Sequence, residues 1–456
     1  MGLKRGLKGV AIGALAALLG TILSFTGIGH AFERNVGLEW LFNIRGPLPT
    51  PDEVVVVGIN ENTGSDLELP ALPRDWPRSI HARLIDQLVA LGAEVIVFDV
   101  YFGTAKAPEE DAAFVAAVAN AERVVLFEKL TGKSQPVKNA EGRTIRLVWS
   151  ESLVPPLDAL ASSAAGLGIF PLPKIDASVY QFWTFKDSVS NEPSMPSVAL
   201  QQFYRKQFPD WRAALLDAGF SPTAPLDVDA SELANAGTVR QLMRAQRNWF
   251  TTRAQETSVA ALPAEFAQLV DLYSGPEHRY LNFYGPPGSV TNVPYQSVIA
   301  GYDPDHGELD FTGKAAFVGY SDLYDPGQPD RFHTVFTRAD GVDLAGVEIA
   351  ATAFANLLHG EGLRMAGTWT TVGLLVAIGL IFGLVFYVLP AQWSLPLLVV
   401  LGVGYGLLAQ NIFATQSLWL PLAVPLLVQV PLALVMGLLG QYLFERERGQ
   451  RISDAI

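Results

Sequence analysis

Apolar positions are laid out along this chain in two regimes. From Met365 to Phe444 not one Asp, Glu, Lys or Arg occurs, a stretch too long for the core of a soluble domain and sufficient for three membrane spans of about 20 residues each. Hydropathy places those spans at 369–389, 395–414 and 418–442. An earlier apolar run, Gly9 to Gly29, follows Lys4, Arg5 and Lys8. Its length suits a spanning helix better than the shorter apolar stretch of a secretory signal, so 9–29 reads as an uncleaved anchor. Four spans put both termini on one side of the membrane. The basic residues before the first span, with Arg446, Arg448 and Arg451 after the last, assign that side to the cytoplasm. Residues 1–8 are then a cytoplasmic tail, 443–456 a cytoplasmic connector, and 30–364 a large domain on the far side of the bilayer.

Within 30–364 the period changes. Glu53-Val-Val-Val-Val-Gly-Ile-Asn60 is a continuous apolar run between Pro51 and the turn-forming Glu61-Asn62-Thr63-Gly64, the pattern of a strand covered on both faces. An amphipathic stretch from Ser79, a candidate cap, to Leu91 stops at Gly92 and leads into Glu94-Val-Ile-Val-Phe-Asp99, a second buried strand. Together they make a βαβ unit. A helix near 111–120 and a strand at Arg123–Phe127 continue the alternation, which predicts an α/β domain with a mostly parallel sheet flanked by helices. Residues 129–180 carry no clear period. The stretch 196–272 is helical by pattern and is expected as an insertion, Tyr280–Tyr284 and Ala315–Gly319 read as further strands, and Gly346 to Leu358 as an apolar helix. About ten residues separate that helix from the second span, a length that can pass on a displacement. Gly346, Asn356, Gly360 and Gly362 are therefore candidates for signal transmission, and lengthening the connection is expected to rotate the downstream helix by about 100° per residue.

Charge and chemistry narrow the function. Removing the two ends from the totals of 32 basic and 45 acidic residues leaves 26 and 42 in 30–364, a net charge of −16. Such a surface argues against nucleic acid and anionic headgroups, and favours solubility or cationic ligands. The absence of Cys excludes disulfides, thiolate metal sites and cysteine nucleophiles. No G-x-G-x-x-G, nucleophile elbow or H-E-x-x-H occurs, so no catalytic residue is assigned. Gly307 and Gly313-Lys314 approach a phosphate loop, but five residues separate the glycines and Ala315 stands where Ser or Thr would hold Mg²⁺; a turn before a strand is the better reading. No ionisable residue lines the late spans, which argues against transport.

Ligands of open α/β sheets sit beyond the carboxyl ends of the strands, where this chain would gather Asn60, Glu61, Asp99 and Gly319-Tyr320-Ser321. The candidate ligand-binding residues are Asn60, Glu61, Arg78, His81, Asp99, Ser321 and Asp330. A cap or loop hydrogen bond is the other use of Asp99, and pairing with Asp99 or Asp111 the other use of Arg78 and His81. Asp322, Asp325, Asp330 and His333 supply donors for an ion such as Ca²⁺ in no standard spacing, so a solvated loop is the alternative. Tyr180, Phe182, Trp183 and Phe185 alternate like a strand and suit a core or a dimer face. In the late spans, Gln410, Asn411, Gln429 and Gln441 are expected to bond between helices, and Pro421, Pro425 and Pro431 to kink the last one. The Gly9/Gly13, Gly379/Gly383 and Gly402/Gly406 spacings let backbones approach, within one subunit or between two.

One span, an outer α/β domain and three closely spaced spans resemble the CHASE family of extracytoplasmic bacterial sensor domains, specifically its second type. The residues that carry the likeness are Val54–Asn60 with Glu61-Asn62, Trp76-Pro77-Arg78-Ser-Ile-His81, Gly92-Ala-Glu-Val-Ile-Val-Phe-Asp99, Leu281-Asn282-Phe283-Tyr284-Gly285-Pro286, Phe311-Thr-Gly-Lys-Ala-Ala-Phe-Val-Gly319, Asp330-Arg-Phe-His-Thr-Val-Phe336 and Gly346-Val-Glu-Ile-Ala-Ala-Thr-Ala-Phe-Ala-Asn356. The likeness covers roughly 45–360 and departs at Asn60, where the family commonly has Asp. The end, Tyr442 to Ile456, looks like the coiled connector into a class III nucleotide cyclase, so a cyclase, or less expectedly a kinase, is anticipated beyond Ile456. The resemblance implies a receptor in the bacterial inner membrane with its domain in the periplasm, working as a homodimer and sensing an extracytoplasmic ligand or protein. It implies no cofactor in this chain; ATP or GTP with Mg²⁺ would belong to the cyclase. The alternative is a non-enzymatic envelope assembly protein.

Overall fold

The computed structural model describes residues 2–70, 72–139, 143–175, 178–221, 228–253, 262–305, 307–323, 328, 330–337 and 341–453. The chain forms two compact units, residues 47–362 and a second made of 1–46 with 363–456.

The first unit is built on six strands: β1 (Val54–Ile59), β2 (Val95–Phe98), β3 (Val124–Phe127), β4 (Gly166–Gly168), β5 (Asn292–Pro294) and β6 (Ala315–Tyr320). They lie in the order β5-β1-β6-β2-β3-β4, and every pairing is parallel. All six residues of β1 and all four of β2 are buried, as expected of a sheet covered on both faces. Helices α1 (Arg78–Ala90) and α2 (Pro108–Ala121) pack together beside it. Gly92 closes α1 with φ +91, a left-handed turn that glycine adopts without strain. The start of α1 corrects the capping reading: Pro77 is the cap residue, and Glu110 of α2 accepts the Ser79 N–H at 2.7 Å.

Between 195 and 274 the described residues are mostly helical, and the first helix, α3 (Met195–Phe203), lies against β2, β3 and β4. Glu128 and Glu192, both buried, are answered there by Arg240, whose Nε lies 2.8 Å from Glu192, and by Arg244. Lys129–Lys138 pairs antiparallel with Thr144–Val154. Tyr180, Phe182 and Phe185 are core residues. Of the strand expected at Tyr280–Tyr284 only His278–Tyr280 forms, paired with Gln181–Trp183. Leu281 to Tyr284 is apolar because it is buried under α4 (Gly346–His359), not because it joins a ladder. Asn356 of α4 accepts the Asn282 N–H at 2.8 Å and donates back to its carbonyl at 3.1 Å, which satisfies a backbone without strand partners.

The second unit contains four helices long and apolar enough to cross a membrane among the described residues: Gly6–Ser24, Thr368–Val388, Gln392–Gln416 and Val424–Leu443. The first ends at Ser24, short of the expected Gly29, and Thr26 caps a further helix, Gly27–Phe32. The last begins with a π-helical turn, Pro425–Gln429, where prolines deny the helix its donors. Glu33 accepts the N–H groups of Leu422, Ala423 and Val424 at 2.8, 3.0 and 2.7 Å, and the Tyr405 hydroxyl donates to the Pro421 carbonyl. Gln429 donates to Leu375 at 3.2 Å, Gln441 to Phe386 at 2.7 Å and Gln410 to Leu41 at 3.3 Å, all carbonyls of other helices. Gly13 packs on the Gly379 and Gly383 backbone within this one chain, while nothing lies within 4 Å of a Cβ built on Gly406.

Candidate functional site

The carboxyl ends of β1, β6, β2 and β3 surround a cavity of about 520 Å³, to which they contribute Ile59, Tyr320, Asp99 and Phe127. The loop after β2 adds Tyr101, Phe102, Thr104 and Lys106, the start of α1 adds Arg78 and His81, and Asp330 with Gly346 closes the side where α4 begins. Parallel strands end on one side of the sheet, so residues far apart in sequence meet there.

Arg78 is held by the wall. Its guanidinium donates to the Thr104 carbonyl at 3.1 Å, lies 4.6 Å over the Phe102 ring and stands 3.7 Å from Asp111. Burial lowers its pKa and Asp111 opposes that shift. His81 packs among Phe98, Phe102 and Phe114, with Nδ1 2.9 Å from the Tyr295 hydroxyl. That hydroxyl donates to the Ile80 carbonyl at 3.2 Å, so the ring proton of His81 belongs on Nδ1. Burial, with Arg78 adding to it, pushes the imidazole pKa down to about 3. His81 is a neutral strut.

Asp99 differs. It borders the cavity and is half-buried, and burial, with Asp330 adding to it, raises its pKa to about 8. Asp330 has φ +64, a left-handed backbone uncommon outside glycine that Asp tolerates better than most residues. Its carbonyl accepts the Gly346 N–H at 2.9 Å, and its carboxylate lies where a Cβ on residue 346 would be. A Cβ on Gly319 would stand 2.8 Å from Val347 Cβ and 3.3 Å from Asp99 Cβ. The first turn of α4 is therefore keyed into the cavity wall through two glycines, and no larger residue fits at either without movement.

A family model described as the CHASE2 domain matches residues 14–387. The chain belongs to the CHASE2 domain family. Searches of curated proteins and of solved structures return no match. CHASE2 domains are sensor domains, so a signal-input role follows from membership.

In this CHASE2 domain Arg78, His81, Asp99 and Asp330 meet at the cavity, and the other three sequence candidates lie elsewhere. Asn60 caps the helix Glu61–Asp66 through a capping box with Thr63. The Glu61 N–H donates to Asp322 at 2.9 Å, and its side chain is solvent-exposed. Ser321 accepts from Asn292 Nδ2 at 2.6 Å. Of the proposed ion ligands, Asp325 lies outside the described residues; His333 pairs with Asp343 at 3.3 Å, and no group of three metal-binding side chains occurs among the described residues. Of the alternative pairings, Arg78 takes Asp111, and His81 takes Tyr295 in place of either aspartate.

Two features escaped sequence reasoning. Phe102 and Phe170 reach the cavity from loops and Phe332 from the two-residue strand Arg331–Phe332, where no period marks them. Glu348 is fully buried in α4 and accepts the Gly288 N–H at 2.9 Å and the Val290 N–H at 3.3 Å; burial raises its pKa to about 7 against those bonds. Its signal was there to read: one acid inside an otherwise apolar helix.

Proposed function

We propose that the chain is the input half of a membrane receptor in which occupancy of the cavity displaces the first turn of α4, and the second span carries that displacement to a cytoplasmic output domain. The carrying observation is that Gly346, the first residue of α4, is part of the cavity wall and is gripped by Asp330. Eight residues, 360–367, separate α4 from the helix Thr368–Val388, so a shift of α4 has little slack to be lost in. The domain faces the periplasm of a bacterial inner membrane with both termini in the cytoplasm, on the strength of the basic residues flanking the first and last spans. The output is a class III adenylate or guanylate cyclase working as a homodimer, a reading that rests on the likeness of the Tyr442–Ile456 segment to a cyclase connector.

Cyclic nucleotide formation in membranes carrying the intact gene product tests this. Activity that disappears on truncation at Ile456 and shifts several-fold with Gly346→Val, which forces Asp330 and α4 apart, is the expected outcome. A product that makes no cyclic nucleotide overturns the cyclase output and leaves an envelope protein acting through partners.

A further inference from the structure

Resting on the reading of the cavity as the input site, we infer that its ligand is a small organic cation, an ammonium carried on an apolar body. The argument is one of unpartnered carboxyl groups, which a bound ammonium would hold in the ionised form. Each basic group on the wall has a partner within the protein: Arg78 has Asp111 and the Thr104 carbonyl, Lys106 donates to the Arg74 carbonyl at 2.6 Å, and Arg74 stands 4.0 Å from Asp75. Asp99, half-buried, and Asp330, exposed to solvent, are not served in this way. Among the described residues no hydrogen bond ends on the carboxylate of Asp99 or Asp330, and the one cation acting on either is Lys174, on Asp330.

Much of the remaining surface is aromatic, with Ile59, Val100 and Leu172 beside it. Phe102, Phe127, Phe170, Tyr320 and Phe332 line the cavity, and ring faces attract ammonium groups within about 6 Å of the centroid. One of these rings already receives such a contact, with the Lys174 ammonium 5.0 Å from the Phe332 centroid. A metal ion fits less well: Ca²⁺ takes roughly six to eight oxygen ligands, and no cluster of three acidic or imidazole side chains occurs among the described residues. A cavity of about 520 Å³ holds an organic molecule and is larger than a bare ion requires.

The test is calorimetric titration of the full chain in lipid nanodiscs with phenethylamine, phenethyl alcohol and phenylacetate, which share a body and differ in charge. The amine is expected to bind at least tenfold more tightly than the other two. Asp99→Asn should weaken it at least tenfold, with an unchanged circular dichroism spectrum, while Glu61→Gln leaves it unaltered. Tighter binding of the acid or the alcohol, or no binding by any of the three, overturns the inference. Hydrogen exchange of Gly346–His359 in the same samples separates this from the receptor reading. Amine binding without altered exchange removes the coupling and keeps the ligand class; acid binding with altered exchange does the reverse.

Discussion

Asn60→Ala removes the acceptor for two backbone N–H groups at the start of Glu61–Asp66 and is expected to cost about 1 kcal/mol in denaturant melts. Asn60→Asp should be close to neutral, since either side chain caps, and neither change should alter occupancy of the cavity. Asp99 sets a pH dependence. Its folded pKa is raised from 3.8 to about 8, so its contribution is full below about pH 4 and is lost as pH rises through about 8. The titratable and charged groups that line the cavity with it are Asp75, Asp330, Arg74, Arg78, Lys106, Tyr101, Tyr320 and the neutral His81. Asp99→Asn has no proton to lose, so its stability relative to wild type should climb between pH 4 and 8, by at most about 1.4 kcal/mol per pH unit. Melts at pH 5, 6, 7 and 8 read this directly. Glu348 moves in the same sense with its pKa near 7, but it is present in both proteins and cancels in the comparison.

At the scale of elements, Glu33 is the cap of the last span. Glu33→Ala strands three N–H groups beside prolines, at about 1–3 kcal/mol for each buried donor left unpaired, and should lower the thermal midpoint of the membrane unit more than Glu33→Gln, which keeps an acceptor. The connection from α4 does not work as a rigid rod: α4 ends at Gly360 with φ +65, and Arg364–Met365 pair with Leu418–Trp419. An inserted residue in 360–367 therefore has no helix to rotate, contrary to the phase expectation drawn from sequence; a phase effect belongs instead to the continuous helix Val430–Ser453. Strands β1, β2 and β6 were legible because burial on both faces leaves unbroken apolar runs. Strands β4, Gly166–Gly168, and β5, Asn292–Pro294, were not, because three residues set no period and their neighbours define them. The strand-end rule found Asp99 and Tyr320, but Phe102 and Phe170 are brought by loops, and Phe332 by a two-residue strand, whose course only the fold determines.

For the whole molecule the first question is which side each part occupies. With no native Cys, single cysteines report without background. An impermeant maleimide should label exposed Asn120→Cys on intact spheroplasts and Gln450→Cys only after permeabilisation; the opposite pattern would invert the topology. The central claim is that the first turn of α4 must move against β6 for a signal to pass. Gly319→Cys with Val347→Cys places two Cβ atoms 2.8 Å apart in wild-type geometry, about 1 Å closer than a disulfide takes, so the pair bridges once β6 and α4 have given by that much. The measurement is cyclic nucleotide output of the intact gene product carrying this pair, oxidised and then reduced. Output that shifts several-fold on oxidation and returns on reduction is expected; the same output in both states, with the bridge shown to have formed, would contradict the account.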